Sequence, residues 1–383
     1  MKDKRLAIYK YCHLIILPFL FACENKLPQE INFKAWFSKN YSSSKITHIQ
    51  SISQKVIIES RELKIDTIYR SMQGPYDVKT VSFNEERNEL LWLTGYSSEI
   101  INAEDEQILS DDFMCHNNLE ITDKNSFPWK LKTIGTNIRL FTLTEGQTKV
   151  QMPVGYGIPF PASEKASLFS QVLNHNVKNP HMIVKHRVNI EYTRQSDHTT
   201  PLVPLYQQAV FITKQISGPP GNYGEVSTNT ESLKDANIRY KSCDTNCEIR
   251  LEKNAFNPYA DNFGRTYSGH WEIPLGKEIL KTDVTEMLNL WHDTRVHFIG
   301  VHVHPFAVSL ELRDITADTS VFKAYVKNFS NKIGIEKIDN YSSEVGIALF
   351  KSHRYELISE YNCNDSTANH TAMATMFLYL EEK

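Results

Sequence analysis

Short alternating stretches punctuated by glycine and proline constrain this chain more than any other feature. Ile65-Asp66-Thr67-Ile68-Tyr69, Thr80-Val81-Ser82-Phe83 and Glu89-Leu90-Leu91-Trp92-Leu93 follow one another, with Gly74-Pro75 and Gly95 as turn signals. An alternation of period two puts one set of side chains on a buried face and the other toward water, which is the signature of a strand. The pattern recurs at 138–141, 184–192 and 270–274, and again at 296–303, 308–312, 321–326, 355–358 and 374–380. Only 281–291 reads as a short helix. Many short strands at regular turn spacing predict an all-β protein built of two tandem antiparallel β-sandwich (jelly-roll-like) domains. The stretch Ser217-Gly218-Pro219-Pro220-Gly221-Asn222 is the expected boundary between them. The predicted division is therefore 23–60 as linker and first strands, 61–216 as the N-terminal sandwich and 217–383 as the C-terminal one.

At 383 residues the chain is long enough for two such cores. A net charge of −3 gives no reason to expect a nucleic-acid partner. The first residues are a separate matter. Met1-Lys2-Asp3-Lys4-Arg5 is basic, and 14–22 is apolar but too short to span a bilayer. The stretch ends in Leu20-Phe21-Ala22-Cys23, which resembles a bacterial lipobox, with Phe21 bulky for its position. Residues 1–22 are thus expected to be a lipoprotein signal peptide and Cys23 the lipidated residue; an ordinary signal peptide or an uncleaved anchor is the alternative. The mature chain is expected to be exported and lipid-anchored to a bacterial membrane, at the outer membrane or the periplasmic face. An oxidising compartment would let Cys243 and Cys247 close as a disulfide, preferred over a CxxxC metal pair because no second pair lies nearby.

The chemistry concentrates in Val301-His302-Val303-His304-Pro305. Residues i and i+2 of a strand share a face, so the two imidazoles can converge on one ion. A pair of hydrogen-bonded surface histidines is the plainer reading. A thioether lies about seventy residues on, in Thr371-Ala372-Met373, and imidazole with thioether favours copper over zinc, calcium or magnesium. No Gly-x-Ser-x-Gly elbow, Walker loop or His-Glu-x-x-His motif is present.

The wider order is His270-Trp271-Glu272-Ile273-Pro274-Leu275-Gly276-Lys277, then His297 to His304, then Met373-Ala374-Thr375-Met376-Phe377-Leu378-Tyr379-Leu380. It resembles the C-terminal domain of the copper type II, ascorbate-dependent monooxygenases, the family of peptidylglycine α-hydroxylating and dopamine β-monooxygenases. The resemblance implies that His302, His304 and Met373 hold an oxygen-activating copper, with Met376 as the competing thioether. It also implies a second copper in the first half. There Asp112-Phe113-Met114-Cys115-His116 stands where the family has paired histidines, with Cys115 replacing the first of them. Pro153-Val154-Gly155-Tyr156-Gly157 and Gln171-Val172-Leu173-Asn174-His175 resemble the strands around the third ligand. Cys115, His116 and His175 are the expected second set, and a thiolate in it would favour Cu(I).

By this resemblance the chain is a copper-dependent monooxygenase-like protein. It would hydroxylate a C–H bond of a small substrate using O2 and a one-electron donor such as ascorbate. A non-catalytic copper-binding surface lipoprotein and a structural or adhesive module are the alternatives. The positions that bind a peptide carboxylate in the peptide-processing members read Gly300, Thr375 and Phe377, so glycine-extended peptides are not expected as substrates.

Overall fold

The computed structural model describes residues 53–69, 71–83, 89–122, 139–223, 257–261 and 263–382. The leader, the lipobox cysteine Cys23 and the Cys243–Cys247 pair lie outside them.

The described chain is almost entirely strand. The first half holds β1 (Gln54–Glu59), β2 (Leu63–Ile65), β3 (Tyr76–Val81), β4 (Leu90–Asn102), β5 (Met114–Ile121), β6 (Arg139–Thr144), β7 (Lys149–Gln151), β8 (Tyr156–Pro161), β9 (Ala166–Val172), β10 (Met182–Arg194) and β11 (Val203–Phe211). The second half holds β12 (Lys214–Ser217), β13 (Thr266–Ser268), β14 (Trp271–Glu272), β15 (Gly276–Asp283), β16 (Thr294–Val303), β17 (Ala307–Asp314), β18 (Thr319–Asn328), β19 (Ile335–Ile338), β20 (Tyr341–Leu349), β21 (Tyr355–Cys363), β22 (Thr371–Ala372) and β23 (Ala374–Glu381). The fold is an all-β sandwich assembly. A large sheet runs β1-β10-β4-β8-β11-β23-β16-β20. The sheet β3-β9-β5-β6 belongs to the first half and β15-β21-β17-β18-β19 to the second.

Two apolar clusters fill the layers. One is built on Leu91, Leu119, Phe141, Phe160 and Ile190, the other on Val301, Leu310, Leu312, Leu357 and Leu378. The boundary between them does not fall at the Gly/Pro stretch. β11 precedes that stretch, yet it pairs with β23 from Leu205↔Glu381 to Phe211↔Thr375. It touches β8 only through Val203↔Tyr156 and Pro204↔Gly157, and this contact is parallel, against the purely antiparallel expectation. Leu205 lies in the first cluster and Val210 in the second, so the core changes hands inside β11. The Gly/Pro residues form a local turn instead: Gln215 Nε2 donates to the carbonyls of Ser217, Gly218 and Pro219.

The expected helix at 281–291 shrinks to one turn, Thr285–Leu288, closed by Asn289 at φ 45°. Its first residues belong to β15, which pairs along its whole length with β21. Ladder pairing with a buried neighbour overrides the weak local preference for helix.

β16 and β23 are buried on both faces because each face serves a different cluster. Their register pairs Phe298↔Tyr379, Gly300↔Phe377 and His302↔Thr375 on one face, and Ile299↔Leu378, Val301↔Met376 and Val303↔Ala374 on the other. Phe298, Phe377 and Tyr379 join the first cluster, while Ile299, Val301, Met376 and Leu378 join the second. The His302 face is therefore turned toward the first half.

Candidate metal centre

The end of β16 carries His302, and His304 follows two residues later with its ring 5.3 Å from the His302 ring. Both are buried, at 5% and 4% exposure. The two imidazoles differ in how they are held. His304 Nδ1 lies 2.8 Å from the carbonyl oxygen of Thr371. A carbonyl only accepts, so the proton sits on Nδ1 and the Nε2 lone pair is left to face outward. Nε2 meets Ser71 Oγ at 3.1 Å, and Ser71 comes from the first half. His302 has no hydrogen-bond partner on either ring nitrogen. A buried, wholly unpartnered imidazole is expensive, and such groups in native proteins call for a water, an ion or a functional role.

Backbone contacts bring Met373 to the same place. Tyr361 Oη accepts from the His304 N–H at 3.3 Å and donates to the Met373 carbonyl at 2.7 Å. Met373 follows β22 directly and is half-buried. Met376 lies on the opposite face within the second apolar cluster, so strand alternation removes it from the histidines.

The first-half residues arrive from β5. The register between β5 and β9 shifts between Met114 and His116, and Cys115 is the extra residue in that bulge. Cys115 Sγ lies 3.1 Å from His116 Nδ1, and both are buried. Cys115 and Cys363 are both thiols rather than disulfide partners. The His116 ring does not turn to His175; it stands 4.7 Å from the His302 ring. His175 lies close enough to His304, His370 and Asp112 to feel their charges.

The two expected ligand sets are thus not two separate places. His116, assigned to the first copper, meets His302, assigned to the second. The cause is the packing of the β16–β23 face against the first half, where Gly300 comes close to the Gln147 side chain. A residue that the motif analysis passed over also enters. The ring of His270 lies 6.0 Å from His304, and its Nε2 has no hydrogen-bond partner. Pairing of β14 with β22, Trp271↔Ala372 and Glu272↔Thr371, sets His270 opposite Met373 when the antiparallel register is continued by one residue, on the segment whose Thr371 carbonyl holds His304. Its place directly before Trp271-Glu272-Ile273-Pro274 was the signal that could have found it.

Burial holds these imidazoles neutral. It pushes His116 and His304 down to about 3 and His175 to about 4, and it drives His302 well below the ordinary histidine value. Neighbouring histidines add to the effect at all four. Neutral imidazole is the form that ligates metals.

Among the described residues, no group of three or more His, Cys, Asp or Glu side chains is already in position to hold a metal ion. The donor chemistry nevertheless fits one. His302 has two unsatisfied nitrogens, and His304 has its tautomer fixed by a carbonyl as metal-binding histidines do. The backbone of Met373, a residue with a soft thioether, is tied through Tyr361 to that of His304. Two imidazoles bound to one ion through bonds of about 2.0 Å have ring centres roughly 4.5–5.5 Å apart. The His116–His302 and His302–His304 separations, 4.7 and 5.3 Å, fall in that range.

His186 supplies the contrast. It is fully buried, but Nε2 reaches the Gln171 carbonyl at 3.2 Å and Nδ1 meets Asn117 Nδ2 at 3.2 Å and Ser98 Oγ at 3.3 Å. This is a structural core histidine with every polar atom used.

No family model matches the chain, and no curated protein matches it. A solved structure described as "Crystal Structure of the STIV MCP" is similar at a TM-score of 0.28 and 8% identity, over 85% of this chain and 96% of that one. Similarity at that level carries no argument about function.

Proposed function

We propose that this protein is a copper-dependent, monooxygenase-like protein that hydroxylates a small substrate at the expense of O2 and a reductant such as ascorbate. One observation carries the reading: His302 is buried with both ring nitrogens unpartnered, next to His304, whose lone pair is directed by the Thr371 carbonyl. His302, His304 and Met373 would hold the metal. Copper, when bound, supplies one-electron redox chemistry toward dioxygen. The protein's own part is positional. Tyr361 fixes the backbones of His304 and Met373 relative to each other, and Phe298, Phe377 and Tyr379 keep water from the same face. Ser71 covers His304 Nε2 and would have to yield it to an ion. Cys23 would anchor the protein to an exported membrane face.

The test is ascorbate-driven oxygen consumption by the full chain, loaded with copper and freed of excess ion. Consumption should fall to background in His302→Ala, and a glycine-extended peptide should not be turned over. A copper-loaded chain that consumes no oxygen with any reductant or substrate panel would remove the enzymatic reading.

A non-catalytic copper-binding lipoprotein is the second reading. It is favoured by the sealing of His302 at 5% exposure beneath the His116 ring, which leaves little room for a substrate beside the ion.

A further inference from the structure

We propose that a single transition-metal ion binds between the two halves of the chain, held by His116 from β5 together with His302 and His304 from the second half, with His270 standing next to them. It rests on the same histidine cluster as the copper reading, but on neither Met373 nor oxygen chemistry.

The four rings form a chain of neighbours. His116 lies 4.7 Å from His302 and His302 lies 5.3 Å from His304, both within the span of two ligands on one ion, while His270 lies 6.0 Å from His304, beyond it. The rings must close further to surround an ion. Three ring nitrogens in this group have no hydrogen-bond partner: both of His302 and Nε2 of His270. The remaining two histidines have Nδ1 committed, which directs Nε2 toward a ligand, although His304 Nε2 must first be released by Ser71 Oγ at 3.1 Å. His304 Nδ1 is held by the Thr371 carbonyl, and His116 Nδ1 by Cys115 Sγ. A buried polar residue usually finds partners within its own sandwich, as His186 does on the facing sheet through Gln171 and Asn117. Here the unsatisfied atoms accumulate where two independently built faces meet, and on the same shared face Asn118 Oδ1, Thr142 Oγ1 and Thr375 Oγ1 are also without partners.

The donor set is three neutral imidazoles, with a fourth, His270, adjacent. It suits borderline divalent ions, copper above nickel or zinc in intrinsic affinity. Because two sheets contribute, such an ion would tie the halves together.

The experiment uses the full chain, titrated with Cu(II) and, as a spectroscopic probe, Co(II). One ion per chain is expected, with three or four imidazoles counted by X-ray absorption on the wild type. His116→Gln and His302→Gln should each weaken binding on the order of a hundredfold, at or beyond the upper end of what loss of a supporting group costs. Copper should raise the melting temperature of the wild type and not that of His116→Gln. Two ions bound independently, with His116→Gln abolishing only one of them, would overturn the shared site while leaving the copper reading intact. An ion coordinated by only two imidazoles and sensitive to Met373→Leu but not to His116→Gln would do the same. A chain that takes up neither metal overturns both. If a variant fails to fold, the imidazole count on the wild type decides.

Discussion

At the scale of single residues, the difference between His186 and His302 is the most informative. Both are buried histidines, and only the first has its polar atoms satisfied. Removing a satisfied polar group strands its partners, whereas replacing an unsatisfied one by an apolar side chain relieves a penalty. His186→Leu should therefore lower the stability of the metal-free protein by about 1–3 kcal/mol, by removing the partner of one Asn117 amide N–H and of the Gln171 carbonyl. His302→Leu should leave metal-free stability unchanged or raise it. Urea unfolding of the two variants checks the pair, and a large loss in His302→Leu would mean that His302 is a structural residue after all. Nothing in the residue types separates the two positions in the sequence. The separation lies in hydrogen-bond partners drawn from strands far apart along the chain.

At the scale of elements, β9 positions His116, since Gln171 is its register partner in the adjacent strand. The start of β3 is set by a close approach at Gly74, where a Cβ would stand 1.9 Å from the Val172 carbonyl oxygen. Gln171 Nε2 also donates to the Gly74 carbonyl at 2.9 Å. Gly74→Ala must push β3 off β9 and should cost about 3 kcal/mol, the upper part of the overpacking range. Thermal melting measures the loss, and metal affinity should fall with it because His116 moves as well. Much of this architecture was legible beforehand: the alternation around 184–192, 296–303 and 374–380 marked β10, β16 and β23, and the i, i+2 spacing put His302 and His304 on one face. The face itself was not legible. In the second half of β16, Ile299, Val301 and Val303 are apolar and the other set includes Phe298, so periodicity alone does not say which side meets the first half. For the same reason the arrival of His116 beside His302, rather than beside His175, depends on packing between sheets and leaves no local signal in the sequence. The one-turn helix and the boundary inside β11 were hidden likewise, since β11 takes its long partner β23 from the far end of the chain.

At the scale of the whole molecule, two opposed sets of groups shape stability against pH. His186 is pushed down to about 4 by burial, so between pH 6.5 and 4 the unfolded chain binds a proton that the folded one refuses. Stability falls as pH drops through that window, on the order of 3 kcal/mol from His186 alone. His116, His175, His302 and His304 act in the same direction in the metal-free protein. Glu145 is pushed up to about 8 by burial, so between pH 4.5 and 8 the folded state keeps a proton that the unfolded state releases, and stability falls as pH rises. Five histidines outweigh one carboxyl below pH 6.5, and Glu145 governs above it. Metal-free stability should peak near pH 6.5, and Glu145→Gln should flatten the alkaline decline; a decline that persists unchanged would assign it elsewhere. The pairing of β11 with β23 has one more consequence, for anyone dividing the chain. A fragment beginning at residue 217 would keep β23 but lose β11, exposing a row of backbone donors and acceptors along a strand that is otherwise interior. Such a raw edge is a template for the next copy, so that fragment should self-associate into strand-paired aggregates. One beginning at residue 203 carries its own cover strand and should show less of this strand-paired association, although its Phe298, Phe377 and Tyr379 face is uncovered too; light scattering of the two would distinguish them.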